Sequence, residues 1–416
     1  MFFLYRIIIN VIIIFSPIII LIRLLKKKED PIRFKEKFGF FSKKKPKGKL
    51  VWFHGASVGE ILSAVPLIQQ LEKNKNITKI LVTSNTLSSS KVISSLKLKK
   101  TIHQFFPIDN SYLVNKFLKY WSPSIAIFID SEIWPNMLTK INIKSIPLIL
   151  LNGRINKKSF KKWKRISLTA KSLFNKFDLC LPSSAESKKH LELLNAKNIK
   201  YIGNLKFTES EIKKDNSNKN LKKFFSTKKV WCASSTHNNE EEVAARVHLK
   251  LKKKNKNILT VIIPRHISRT AEIADKLKRL NLKVHIHSTS GKIAKNTDIY
   301  LVDIYGKTKM FFSICKIVFL GGSLIKHGGQ NPLEAARFGC QILHGPNIWN
   351  FNEIYNLLNE FKVSYKVGNT KQIAREISMI FIKKNNTKNI KYKLNSLSNR
   401  ILKLTLKEID YFIIKK

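Results

Sequence analysis

Apolar and polar positions along this chain fall into three patterns. The first is an almost unbroken apolar run at residues 7–25, I-I-I-N-V-I-I-I-F-S-P-I-I-I-L-I-R-L-L. As a helix, its 19 residues would rise about 28 Å, close to the ~30 Å hydrocarbon core of a bilayer. Lys26, Lys27 and Lys28 follow at once, and cations flank membrane spans mostly on the cytoplasmic side. The expectation is one N-terminal span within residues 1–28 and a cytoplasmic remainder. Arg6, ahead of the run, weighs against that orientation, and Arg23 would snorkel to the interface. No small-residue cleavage site marks the run as a removable signal. The alternative is a hydrophobic helix lying on the membrane. The basic, amphipathic stretch that follows, K-E-D-P-I-R-F-K-E-K-F-G-F-F-S-K-K-K-P-K-G-K, suits lipid headgroups.

The second pattern is a series of short apolar runs separated by stretches of helical period. Strands are predicted at Leu50–His54, Ile80–Thr83, Ile125–Asp130, Pro147–Asn152, Leu179–Pro182 and Tyr201–Gly203. The rhythm restarts at Lys229–Ala233, Ile258–Pro264, Lys283–His287, Ile299–Asp303, Ile317–Leu320 and Cys340–His344, with helices starting near 238, 269, 331 and 351. Strands alternating with helices give parallel α/β sheets, whose ligands gather at the carboxyl ends of the strands. The third pattern is polar. Residues 209–228 read as the interdomain linker, and 388–413 as one amphipathic helix. The domains are therefore expected at 29–212 and 213–416, and it stays open whether the last helix packs back on the first domain.

Composition changes this picture little. A chain of 416 residues suits two domains. Its 78 Lys+Arg against 27 Asp+Glu give a net charge of +51, which taken alone suggests nucleic acid, an anionic membrane or phosphorylated substrates. The excess is mostly Lys, spread along the chain with Ile and Asn, as an AT-rich genome would impose. A nucleic-acid binder concentrates Arg and aromatic residues in one patch, so that partner is not expected. Cys180, Cys232, Cys315 and Cys340 form no C-x-x-C pair. A disulfide scaffold or zinc site is therefore not expected, and a reducing compartment fits.

Six constellations lie at predicted strand ends. In H-G-A-S-V-G-E, small residues around Ser57 and Gly59 let a ligand approach the backbone. Glu60 is either a general base at a helix N-terminus or the partner of Ser57 in a capping box. In I-F-I-D-S-E-I-W-P-N, Asp130, Glu132 and Asn136 could orient a polyhydroxy substrate, or could only cap a helix. Arg154 in L-N-G-R offers a fork for phosphate or carboxylate, and Lys206 in G-N-L-K-F follows a strand, but each alone reads more readily as an ordinary solvated basic turn. Ser234, Ser235, Thr236 and His237 precede an acid-rich helical turn, and such a start suits either an anion or a plain N-cap. Arg265 and His266, directly after an apolar run, either neutralise a leaving phosphate or form a surface basic turn. The sixth is F-L-G-G-S-L-I-K-H-G-G-Q-N-P-L-E-A-A, with Gly322 and Ser323 in one loop. Asn331 stands at a predicted N-cap, with Pro332 and Glu334 inside the helix. Glycine loops of this kind cradle phosphate through backbone N–H groups. No G-x-x-x-x-G-K-[ST] is present, which disfavours a P-loop ATPase.

As an ordered set, H-G-A-S-V-G-E, F-P-I-D-N, D-S-E-I-W-P-N, N-G-R, G-N-L-K-F, S-S-T-H, P-R-H, G-G-S-L and G-G-Q-N-P-L-E-A-A resemble the bacterial 3-deoxy-D-manno-octulosonic acid (Kdo) transferases of glycosyltransferase family 30. The likeness runs from about residue 30 to 360. It implies a GT-B fold: two Rossmann-like domains with parallel sheets facing a cleft, after an N-terminal anchor helix. It implies transfer of Kdo from CMP-Kdo to a lipid A precursor at the bacterial inner membrane, with inversion and no metal or other cofactor. Glu60 would be the base. Ser57, Gly59, Glu132 and Asn136 would serve the acceptor side. Arg265, with Lys206, would face the leaving phosphate, and Ser234, His237, Gly322, Ser323, Asn331 and Glu334 would bind the nucleotide. The implied partners are CMP-Kdo, the lipid acceptor and anionic inner-membrane lipids, with no obligate protein partner. The chain departs from the family pattern at Asp130, Asn239, Gly153 and Lys307, and the last puts nucleotide contacts around 303–308 in doubt. Two other readings compete. One is a UDP-sugar enzyme of the same fold. The other is a non-catalytic basic module on membrane or nucleic acid.

Overall fold

A computed structural model describes residues 2–208, 219–289, 292–382 and 387–414. The chain divides into two compact units, Met1–Ser210 with Leu397–Lys416, and Glu211–Ser396.

The first unit begins with helix α1 (Phe2–Leu25) and a 3₁₀ turn at Arg33–Phe38. There follow β1 (Leu50–His54), α2 (Val58–Leu71), β2 (Lys79–Ser84), α3 (Leu87–Ser95), β3 (Thr101–Phe105), α4 (Ser111–Trp121) and β4 (Ile125–Ile129). Then come α5 (Pro135–Ile143), β5 (Leu148–Gly153), α6 (Lys157–Arg165), α7 (Ser167–Phe174), β6 (Leu179–Pro182) and α8 (Ala185–Leu193). The strands form one parallel sheet in the order β3-β2-β1-β4-β5-β6. Strand order reverses between β1 and β4, and the loops beyond their carboxyl ends are where such a sheet holds a ligand. Both strands are buried along their length, as continuous apolar runs in a covered parallel sheet must be. Trp52 and Phe128 meet in this core with ring centroids 5.2 Å apart.

The second unit runs α9 (Lys219–Ser226), β7 (Lys229–Thr236), α10 (Glu240–Lys254), β8 (Ile258–Pro264), α11 (Thr270–Arg279), β9 (Val284–Ile286), β10 (Ile299–Leu301) and α12 (Thr308–Ile314). It continues with β11 (Ile317–Leu320), α13 (Leu333–Arg337), β12 (Gln341–His344), α14 (Asn352–Glu360), β13 (Ser364–Lys366) and α15 (Thr370–Ile382). Its parallel sheet has the order β13-β12-β11-β7-β8-β10-β9 and reverses between β11 and β7. The last helix, α16 (Thr387–Ile414), starts in this unit, and from Leu397 belongs to the first. There Lys200 pairs with Glu408 at 2.7 Å, and Lys49 donates to the Ile413 carbonyl at 2.6 Å.

Several sequence expectations need correction. Tyr201–Gly203 is not a strand of the sheet; Gly203 has φ 128°, and Ile401 of α16 packs against it. The sixth strand is instead β3, T-I-H-Q-F, an edge strand whose polar residues hid it. The short edge strand β13 also went unread. Part of the expected linker, Lys219–Ser226, is helix α9, with Leu221 and Phe225 buried one turn apart. Residues 209–218 lie outside the described residues.

Helix α1 is long and apolar enough to cross a membrane by length and composition. Its first turns are tied to the first unit. The Tyr5 hydroxyl donates to Asp109 at 2.7 Å, Arg6 Nε donates to Asn136 Oδ1 at 3.2 Å, and Asn110 Nδ2 donates to Asn10 Oδ1 at 2.8 Å.

Candidate active site

The first unit gathers its polar residues beyond β1 and β4. Strand β1 ends at His54, the chain turns through Gly55–Ala56, and Ser57 caps α2. The capping box is fully formed. Ser57 Oγ accepts from the Glu60 amide at 3.4 Å, and Glu60 Oε2 accepts from the amides of Ala56 at 2.7 Å and Ser57 at 3.4 Å. Ser57 Oγ in turn donates to Glu60 Oε1 at 2.8 Å. The capping reading of Glu60 is thus realised. Burial pushes this carboxyl above its ordinary range; the Ser57 hydrogen bond opposes that shift, and the charges of Glu132 and Asp130 add to it. A Cβ built on neighbouring Gly59 would meet nothing within 4 Å, so this turn of α2 faces open space.

Behind Glu60 runs a buried relay. The Trp52 indole donates to Thr83 Oγ1 at 2.9 Å, and Thr83 Oγ1 lies 3.0 Å from His54 Nδ1. His54 Nε2 is 3.2 Å from Glu132 Oε2, which also accepts from Trp134 Nε1 at 2.8 Å. His54 is fully buried, and burial pushes its pKa down against the opposing pull of Glu132 and of the Thr83 backbone. Nδ1 also lies 3.3 Å from the Thr83 carbonyl, and the Thr83 hydroxyl is placed to donate to the Phe53 carbonyl at 3.4 Å. Burial alone would raise Glu132, but the His54 and Trp134 donors outweigh it and hold the carboxyl below its usual range. The His54 ring stacks on Phe106 at 3.7 Å.

Asp130 follows β4 with φ 63°. Burial raises its pKa, while Lys206, the Ser131 hydroxyl and Arg154 pull it down. Lys206 and Arg154 therefore sit with Asp130 in the first unit. The Leu205 amide donates to Asn152 Oδ1 at 2.8 Å, which holds the short 3₁₀ turn carrying Lys206. Asn136 does not open to solvent. It is buried, and its contacts go to Asp109 and Arg6.

In the second unit the loops after β7 and β11 meet through Glu240, in the acid-rich first turn of α10. Glu240 Oε2 accepts from the amides of His237 at 3.0 Å and Gly322 at 2.6 Å. Its Oε1 accepts from Ser323 and Leu324, each at 3.1 Å. The first glycine loop therefore spends its N–H groups on a carboxylate of its own chain. This corrects the expectation that they stand free for phosphate. Ser323 is buried as well; its hydroxyl donates to the Leu320 carbonyl and accepts from Gly345 N at 2.8 Å. Gly322, at φ 66°, leaves room for His237 and His327, whose rings lie 4.2 Å apart. His266 is 6.0 Å from His237. Burial, then the charges of His327, His266, Arg265 and Arg269, push His237 down to about 4. His237 Nε2, Ser234 Oγ and Thr236 Oγ1 are buried without a hydrogen-bond partner among the described residues. Arg265 is exposed beside them. These orphaned polar atoms lie near Arg265 and near Arg269, which is paired with Glu241 at 3.0 Å, and a bound polar group would satisfy them. Asn331 stands one residue before the cap of α13, and its Oδ1 accepts from Leu333 N at 3.1 Å. Glu334 is half-exposed, with Lys309 at 3.5 Å.

Residues 32–209 match the family model described as 3-Deoxy-D-manno-octulosonic-acid transferase (kdotransferase). A 3-deoxy-D-manno-octulosonic acid transferase of Rickettsia bellii is 32% identical over 382 residues, covering 91% of this chain and 91% of that protein. The chain belongs to the 3-deoxy-D-manno-octulosonic acid transferases. The transferase is also 30% identical, over 81% of its length and 80% of the other, to the Haemophilus influenzae protein of that name. Its fold resembles UDP-GlcNAc 2-epimerase from Neisseria meningitidis bound to UDP-GlcNAc, with TM-score 0.59, 14% identity and coverage of 88% of this chain and 100% of that one. The transferase is a glycosyltransferase built from two Rossmann-like units of GT-B type. Asn239, at φ 74°, and Asp130, at φ 63°, both occupy the left-handed region, which Asn and Asp tolerate better than most residues with a side chain.

Proposed function

We propose that this transferase moves Kdo from CMP-Kdo to a hydroxyl of a lipid A precursor in lipopolysaccharide synthesis, at the cytoplasmic face of the bacterial inner membrane. Glu60 takes the proton of the acceptor hydroxyl. The oxygen attacks the anomeric carbon of Kdo from the face opposite the phosphate. The bond from that carbon to the phosphate oxygen breaks, CMP leaves with the bonding electrons, and the configuration inverts. The observation that carries the acceptor half is Glu60 itself: a carboxylate with a raised pKa at a helix N-terminus, beside the open space at Gly59. The relay from Trp52 to Glu132 sets a second negative charge near it, and Lys206 and Arg154 supply cations for acceptor phosphate.

The sugar-nucleotide half rests on Arg265 and the histidine cluster around His237, which can stabilise charge growing on the leaving phosphate. Glu334 is available for ribose hydroxyls. Ser323 and Gly322 act by shaping the loop, and no metal enters the scheme. Titration of the purified enzyme with CMP and with UDP tests the proposal: preferential CMP binding, weakened by Arg265→Ala, is expected, and preferential UDP binding would redirect it to another sugar nucleotide.

A further inference from the structure

Helix α1 has two unlike faces. Tyr5, Ile9, Ile13, Ser16 and Ile20 are buried or half-buried. Leu4, Ile8, Val11, Phe15, Ile18 and Ile22 are exposed on the opposite side. The covered face runs the length of the helix, and polar contacts fasten its beginning. Tyr5 bonds Asp109, Arg6 bonds Asn136, and Asn10 bonds Asn110. Asp109 also accepts from the amides of Asn136 and Met137 at 2.9 and 2.8 Å, so the dock is built into the start of α5.

Tyr5 and Leu25 lie about 30 Å apart along the helix, the thickness of a bilayer core. A helix crossing the membrane upright would carry Tyr5 to the far leaflet, and Asp109, Asn110 and Asn136 would have to follow it into hydrocarbon. A buried carboxylate and the polar start of two helices would be costly there. We propose that α1 lies in the plane of an anionic bilayer surface. Its exposed face sinks into the boundary between headgroups and acyl chains, and the protein body replaces the polar face such helices usually carry. Both ends of the helix then lie on the same side of the membrane as the first unit. The charge pattern names the occupant. Arg6, Lys26–Lys28, Lys43–Lys45 and Lys47 are exposed around the helix and in the segment after it, as anionic headgroups require. The same dock fixes the loop from Glu132 to Asn136 against the membrane helix, and so sets the height of the acid cluster above the lipid. The topology itself does not depend on which sugar or acceptor is used.

The full chain, expressed with a single cysteine appended at the N-terminus, tests this with a membrane-impermeant maleimide. The four native cysteines are buried, and Lys44→Cys provides a control on the body. The expected result is that the N-terminal cysteine labels in inverted inner-membrane vesicles to the same extent as the control, and that its labelling is lost in intact spheroplasts. Labelling from the periplasmic face would establish an upright span and overturn the proposal. A soluble dimer that ignores phosphatidylglycerol vesicles would overturn it too, by giving the apolar face to a second copy. Oxidation of Asn10→Cys/Asn110→Cys in membranes should join the pair within one chain, whereas a crosslink between chains would count against the dock.

Discussion

Replacing Glu60 separates two roles that one side chain can fill. The carboxylate holds the Ala56 amide at 2.7 Å and the Ser57 hydroxyl at 2.8 Å. Glutamine has the same shape: its oxygen keeps the first bond, and its amide donates to the Ser57 oxygen. Capping boxes accept Gln as well as Glu. The lost charge gives up ~0.3–1 kcal/mol of attraction to the helix N-terminus. It also relieves the burial that raises this carboxyl's pKa, so the two effects oppose each other. Glu60→Gln should therefore change stability by less than about 0.5 kcal/mol. Glu60→Ala leaves Ser57 as the cap but removes the reciprocal half of the capping box, stranding the Ala56 and Ser57 amides, and should cost about 1 kcal/mol, a fall of ~2–4 °C in melting temperature for a domain of this size. A missing general base costs about 10²–10⁴-fold in rate, or ~3–5 kcal/mol of barrier, and that loss should be the same in both variants. Kdo transfer, thermal melting and CMP affinity, measured on the three proteins, decide the matter. Full transfer by Glu60→Gln, or losses that follow stability in both variants, would leave Glu60 a helix cap and nothing more.

Glu60 should also set the acid limb of kcat/KM above the ~4.3 of an ordinary glutamate, and Glu60→Gln should lack that limb. The sign for stability is opposite: a raised carboxyl contributes most below its unfolded pKa, and the contribution is lost as pH rises through the folded value, which pH-dependent melting can follow. Gly59→Ala should raise the melting temperature slightly, because its Cβ meets nothing within 4 Å and Ala gains ~0.5–1 kcal/mol in a helix, yet should lower kcat/KM for the acceptor; unchanged activity would mean that no ligand passes there. Glu240→Ala strands four amides and should cost about 3 kcal/mol or more, with CMP affinity lost in parallel by calorimetry; unaltered CMP binding would show that the loop keeps its shape alone.

The central strands were legible because a covered parallel sheet demands continuous apolar runs, as in L-V-W-F-H and I-A-I-F-I. Edge strands such as β3 bury less and carry polar residues, so the pattern thinned there. Helix α9 was hidden because two buried apolar positions stood among lysines. At the site, residue types and strand ends placed Glu60, Glu132, His237 and Arg265 in polar clusters, but long-range partners were beyond reach. Nothing local says that Glu240 holds a loop more than eighty residues away, that Asn136 faces Arg6 and Asp109, or that Lys206 sits beside Asp130. The apolar run of α1 announced a membrane, while its orientation depends on contacts with residues near 109 and 136.

The central claim is the transfer of Kdo, and one incubation tests it most directly. Purified full-length enzyme in phosphatidylglycerol-containing vesicles is given CMP-Kdo and a tetra-acylated lipid A precursor, and the lipid products are read by mass. The account predicts acceptor carrying added Kdo and an equal yield of CMP, both lost with Glu60→Gln. CMP-Kdo left intact by a folded enzyme, with transfer instead from a UDP-sugar, would contradict it.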